Sequence, residues 1–94
     1  MHAMEERFTW NEEKNRWLIV EREVSFVQVV AAIQQARLAV VRNPNQETYP
    51  GQQMFVVEID AYAWVVPADQ TSDGWFLHTA YPNRTMTKRY LGKE

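Results

Sequence analysis

The 94-residue chain has no cysteine, so no disulfide braces it and no thiolate can bind a metal, which fits a reducing compartment such as the cytoplasm. Its three glycines are too few for a glycine-rich phosphate loop. Its two histidines, His2 and His78, lie far apart and outside any His/Asp/Glu cluster of ligand spacing, so neither a metal nor another cofactor is expected. No Ser-His-Asp arrangement gives a positive signal. No apolar run approaches the roughly 20 residues a membrane span needs, and the opening MHAMEERFTW lacks the apolar centre of a signal peptide. Between residues 43 and 83 there is no lysine or arginine, against five acids (Glu47, Glu58, Asp60, Asp69 and Asp73).

What is present describes one ordinary globular domain over 1–94, with 46% hydrophobic and 23% charged residues. A start at Met4 would leave 1–3 as a remnant, and 91–94 read as a flexible tail. The formal charge of -2 means that the molecule as a whole does not attract polyanions. Any phosphate contact must be local, and the place for it is the end of the chain. There Arg84, Lys88, Arg89 and Lys93 stand against the single acid Glu94. Four Trp, four Tyr and four Phe are a heavy aromatic load for this length, so several must be buried or sit at an interface.

RFTW reads as a short strand, and Asn11 as the N-cap of a helix whose first turn carries Glu12 and Glu13. Ser25 with Gln28 is a capping-box pair, followed by the stripe Phe26, Val29, Val30 and Ile33 of a helix docked on something apolar. NPNQETYPGQQ reads as an ordered surface loop. MFVVEIDAYAWVVP predicts two strands turning at Asp60-Ala61. Because alanine is costly at positive φ, a turn of another type or a bulge is expected there. WFLHTAYP predicts a third strand, stopped by Pro82 and Asn83. RTMTKRYLG follows as a short helix with Gly92 just beyond it. The whole is an α+β fold, a small antiparallel sheet with two N-terminal helices packed on one face. Both faces of the central strands carry apolar residues, which points to a partner protein on the second face.

At Phe8, Trp10, Asn11, Glu12, Lys14 and Asn15, then Val24, Ser25 and Phe26, the chain resembles the BrnT family of bacterial type II toxins. Members open with an aromatic-Trp-Asp/Asn-Glu-x-Lys-Asn run and continue to a Val/Ile-Ser-Phe helix start. The resemblance covers nearly the whole chain. It implies a RelE-like fold, RNA cleavage that inhibits translation, and neutralisation by a ribbon–helix–helix antitoxin. Contact with DNA would come only through the antitoxin complex. The chain departs from the family in two places. Thr79-Ala80-Tyr81 stands where the family has Ser-Ala-Arg, and Glu23 stands where it usually has glycine.

Cleaving RNA through its 2′-hydroxyl needs a proton acceptor, a proton donor and cations for the phosphorane. Small toxin nucleases do this without metal. The expected catalytic residues are therefore His78, Tyr81 and Arg84, with Lys14, Lys88, Arg89 and Tyr90 as RNA contacts. Each has a plainer reading. His78, in phase with Phe76 and Ala80 and opposite Leu77 and Tyr81, could be a hydrogen-bonded structural residue. Tyr81 and Tyr90 could simply pack, and the cations could form a solvated face, with Lys14 part of a surface charge pattern. Glu58, inside an apolar strand, should either pair with an arginine or face solvent at an edge. The rival to a nuclease is a non-catalytic interaction module that keeps the fold. A DNA-binding domain is disfavoured because neither helix has a basic face.

Overall fold

The computed structural model describes residues 6–92. The expectation for 1–3 therefore falls outside the described residues, as do Lys93 and Glu94 of the expected tail. The chain runs β1 (Arg7–Trp10), α1 (Glu12–Arg22), α2 (Phe26–Gln35), β2 (Arg37–Arg42), β3 (Gln53–Ile59), β4 (Tyr62–Gln70), β5 (Gly74–Leu77), β6 (Tyr81–Pro82) and α3 (Arg84–Leu91).

The helix starts follow the capping chemistry. Asn11 Oδ1 accepts from the Lys14 amide at 3.0 Å. Ser25 and Gln28 close a reciprocal box, each side chain accepting from the other's backbone N–H at 3.1 and 3.0 Å. Asn15, buried, joins the two helices. Its Oδ1 accepts from the Phe26 amide at 2.8 Å, and its Nδ2 donates to Glu12 at 2.9 Å. The other Glu12 oxygen accepts from Trp10 Nε1 at 3.2 Å. Trp10, Glu12, Asn15 and the Phe26 amide thus form one run of hydrogen bonds that, with the Asn11 and Ser25 caps, fixes where α1 and α2 begin. Between them, Glu23 sits in the left-handed region at φ 57°, a conformation glycine adopts without strain.

The sheet differs from the expected antiparallel one. Its strand order is β1-β5-β4-β3-β2, with β6 also pairing β4, and it is mixed. β1 lies parallel to β5, from Arg7 opposite Gly74 to Trp10 opposite Leu77. The physical reason is the route of the chain. After the two helices it enters at the far edge as β2, and an antiparallel meander through β3 and β4 brings β5 back in the direction of β1. β1 lies so close that a Cβ on Gly74 would fall 1.9 Å from the Arg7 carbonyl oxygen. The edge strand β2 was missed by pattern reading. A register shift between Arg37 and Ala39 breaks its alternation, and an arginine stands at each end.

The β3–β4 hairpin also corrects expectation. Ile59 pairs with Tyr62, leaving a two-residue turn in which Asp60 (φ 53°) and Ala61 (φ 63°) both take positive φ. This is the twist a tight hairpin requires, and the strand pairing outweighs the local cost of alanine.

On the helix face, Leu18, Phe26, Val29 and Ile33 pack with Phe55, Val57, Val66, Trp75, Leu77 and Ala80. Met54, Val56 and Val65, of the opposite face, are buried too. The chain itself covers these three side chains of the second face. α3 closes the end of β4. Thr87 Oγ1 accepts from the Ala63 amide at 2.9 Å, and the Asn83 amide donates to the Ala63 carbonyl at 2.9 Å. Leu91 ends this helix and Gly92 caps it at φ 65°, so the expected tail is ordered at least this far. Glu58 is solvent-exposed and, among the described residues, has no salt-bridge partner.

Candidate active site

The expected strand over 75–82 is interrupted, and the interruption builds the site. β5 pairs with β4 from Gln70/Trp75 to Ala68/Leu77, and β6 pairs with it at Val65/Tyr81 and Trp64/Pro82. Between them two residues of β4, Val66 and Pro67, oppose three: His78, Thr79 and Ala80. That is a β-bulge. Pro67 has no N–H for the ladder, and its carbonyl accepts from the His78 amide at 2.9 Å. Arg22, at the end of α1, donates to the Ala80 carbonyl at 2.8 Å and reaches Thr79 Oγ1 at 3.4 Å.

The extra residue changes which side chains share a face. Unbroken alternation would put Ala80 with His78 and turn Tyr81 away. Instead Ala80 joins Trp75 and Leu77 in the core, and Tyr81 and His78 line the same cleft. The expected opposition of His78 and Tyr81 is thereby overturned.

The cleft has a volume of about 600 Å³. Pro67, Asp69, His78, Thr79 and Tyr81 line it from the strands, and Asn43, Thr48, Tyr49, Pro50 and Gln52 from the loop between β2 and β3. The loop is ordered, as its amide-rich sequence predicts. Asn43 and Gln52 bond through backbone at 2.9 Å and through side chains at 2.7 Å. Gln46 Oε1 accepts from the Gly51 amide at 2.9 Å, and Asn45 Oδ1 from the Thr48 amide at 3.2 Å. Such a wall is pre-formed and loses little freedom on binding.

His78 Nε2 lies 2.7 Å from Asp69 Oδ2, both side chains reaching solvent. An ionised carboxylate can only accept, so Nε2 carries the hydrogen of this pair and Nδ1 is left to take a proton. The Phe76 ring meets the imidazole edge-on at 5.0 Å and further fixes its orientation. An oriented imidazole with one free nitrogen is suited to general acid–base chemistry.

The remaining expected site residues are not gathered here. Arg84 and Lys88, one turn apart on α3, are exposed, as is Arg89, and Tyr90 is half-buried; none lines the cleft. Lys14 is on α1 with its Nζ 3.9 Å from the Trp17 ring centroid, and Arg22 stacks on the same ring at 4.7 Å. Pattern reading missed Asp69, Tyr49 and Gln52 as site residues. Asp69 reaches His78 only through the register of β4 on β5, for which no local signal exists. Among the described residues no group of three or more His, Asp or Glu side chains converges as a metal site. No described helix is long and apolar enough to cross a membrane. Comparison with known proteins finds no family model, no curated protein and no solved structure that matches the chain.

Proposed function

We propose that the chain is a metal-independent endoribonuclease of the BrnT-like, RelE-like toxin kind, inhibiting translation in the bacterial cytoplasm and neutralised by a ribbon–helix–helix antitoxin. The observation that carries this reading is the bulge. It sets His78, its partner Asp69 and Tyr81 on one cleft, just ahead of the cationic helix α3.

In this reading His78 Nδ1 takes the proton of a ribose 2′-hydroxyl. The 2′-oxygen attacks the adjacent phosphorus, and the bond from phosphorus to the 5′-oxygen breaks. Tyr81 gives its phenolic proton to that leaving oxygen. The products are a 2′,3′-cyclic phosphate and a 5′-hydroxyl, and proton return from His78 to Tyr81 through solvent resets the site. Arg84 and Lys88, on one side of α3, hold the flanking phosphates, with Arg89 and Tyr90 extending the contact. Lys14 adds a cation on α1. Val20 and Val27, 75% and 64% exposed on the two helices, offer a protein partner an apolar footing.

The test is purified protein with a defined single-stranded RNA in EDTA. Cleavage leaving cyclic phosphate ends is expected, and His78→Ala should lower its rate on the order of 100-fold without moving the thermal midpoint. Asp69→Asn, which disturbs the imidazole rather than removing it, should also displace the pH–rate profile. Full activity in both variants would sink the assignment. One observation favours a second reading, a non-catalytic interaction module: no lysine or arginine lines the cleft. RNA left intact both in EDTA and in magnesium, with growth unaffected on expression, would favour that reading.

A further inference from the structure

The cleft holds more than the acid–base pair needs. Gln52 is only 6% exposed, yet it lines the cleft and its amide is not fully used. The orientation of that amide is fixed by its neighbours. Asn43 Oδ1 accepts from the Asn45 backbone amide at 2.9 Å, so Asn43 Nδ2 must be the atom facing Gln52. It donates to Gln52 Oε1 at 2.7 Å. The two N–H bonds of Gln52 Nε2 therefore point elsewhere and have no hydrogen-bond partner among the described residues. Because the nitrogen is not sealed off and the rest of the residue is buried, the cleft is where these donors open.

Two tyrosines line the same space, Tyr49 from the loop and Tyr81 from the bulged strand, and Tyr49 is 46% exposed. The lining carries a carboxylate, Asp69, and no lysine or arginine, so it offers a phosphate no cation and favours an uncharged group beside the scissile linkage at His78 and Tyr81. A flat aromatic ring bearing both acceptors and N–H donors matches the face of Tyr49, the Gln52 donors and the carboxylate together. The volume, about 600 Å³, lies within the range of small-molecule sites.

Building on the nuclease reading above, we propose that this cleft is a nucleobase subsite. It takes one unpaired base of the RNA, the one next to the scissile phosphate, stacked against Tyr49 and read at its edge by Gln52, while Tyr81 keeps its phenol for the leaving oxygen. Stacking supplies affinity for any base, and the Gln52 donors select a base presenting acceptors to them. The scissile phosphate lies at the cleft beside His78 and Tyr81, and the flanking phosphates run from it toward α3, where Arg84 and Lys88 lie. The division gives the base to the cleft and the flanking phosphates to the cations.

The experiment is titration of the protein, by NMR chemical shifts, with the four neutral ribonucleosides, with ribose 5-phosphate and with a non-cleavable 2′-deoxy trinucleotide. Cleavage of a mixed-sequence RNA is mapped alongside. Expected are shifts at Tyr49 and Gln52 with at least one nucleoside and with the trinucleotide, and none at these two residues with ribose 5-phosphate. Tyr49→Ala should weaken trinucleotide binding about 5- to 150-fold. Gln52→Glu keeps the oxygen that accepts from Asn43 but replaces the two donors by an acceptor. It should preserve the thermal midpoint and change the base preference at the cleavage site. Shifts at Tyr49 and Gln52 with ribose 5-phosphate, or unchanged binding and preference in both variants, would overturn the subsite while leaving the nuclease reading standing. Base binding of the expected pattern without any RNA cleavage would uphold the subsite and remove the nuclease.

Discussion

The helix pair at the start of the chain and the bulged strand near its end are fixed by contacts of very different reach. In the helix pair, the residues that decide the structure are close in sequence. Asn11 caps its own helix, Ser25 and Gln28 cap theirs, and Asn15 spans only the short stretch to Phe26. Around the cleft almost nothing is local. Arg22 holds the Ala80 carbonyl, Asp69 meets His78 across two strands, and the loop at 43–52 supplies the facing wall. Local contacts make the scaffold, and long-range ones make the cleft. The residues on which the proposed BrnT-like reading rests fall mostly in the first group. They report how the helices start, and say little about what the cleft does.

The comparison breaks first where the two regions meet. Gly74→Ala would push a methyl group into the Arg7 backbone, and β1 would have to leave β5; a loss of about 3 kcal/mol is expected, read as a lowered urea midpoint. Next is Asn15→Ala, which leaves the buried Phe26 amide and the Glu12 carboxylate without their partner. It should cost about 2 kcal/mol, while the proposed RNA cleavage, measured per folded molecule, should be unchanged. The two strained positions allow a gain instead. Ala61→Gly and Glu23→Gly should each stabilise by about 1 kcal/mol, less the extra freedom glycine has when unfolded, and thermal melts decide.

The smallest effect is one of pH. Hydrogen bonds from Arg37 and Trp75 hold the Glu6 carboxyl below its ordinary value. Its folded pKa is depressed, so its contribution is complete above the ordinary carboxylate range and is lost as pH falls through the folded value. The Arg37 pair is exposed, so the amount is below about 1 kcal/mol. Glu6→Gln should flatten the loss of melting temperature between neutral and acidic pH by that amount. An unchanged acid limb would assign the loss to other carboxylates.

Pattern reading recovers what period and caps encode. The starts of all three helices, the short first strand, the β3–β4 hairpin and the ordered loop are legible in Asn11, Ser25, Gln28, Asn83 and the proline- and amide-rich run. The parallel placement of β1 is not, because nothing in RFTW says which strand it will meet. β2 escaped because its bulge spoils the alternation. The turn at Asp60-Ala61 escaped because local conformational cost was weighed without the sheet that overrides it. At the cleft, His78 and Tyr81 were named for their chemistry, but their faces were assigned by strict alternation. One inserted residue reverses that inference, and it can be seen only against Val66 and Pro67 on the neighbouring strand.

The pairing of Arg7 with Gly74 has a consequence for how the molecule comes into being. The helix pair can form while the chain is still growing, since its contacts are near in sequence. β1 must wait, exposed, until β5 has been made, and His78 and Tyr81 come later still. Assembly of the cleft therefore comes after the helix pair and after β5. A protein built in this order holds a finished helix scaffold before it holds a finished cleft.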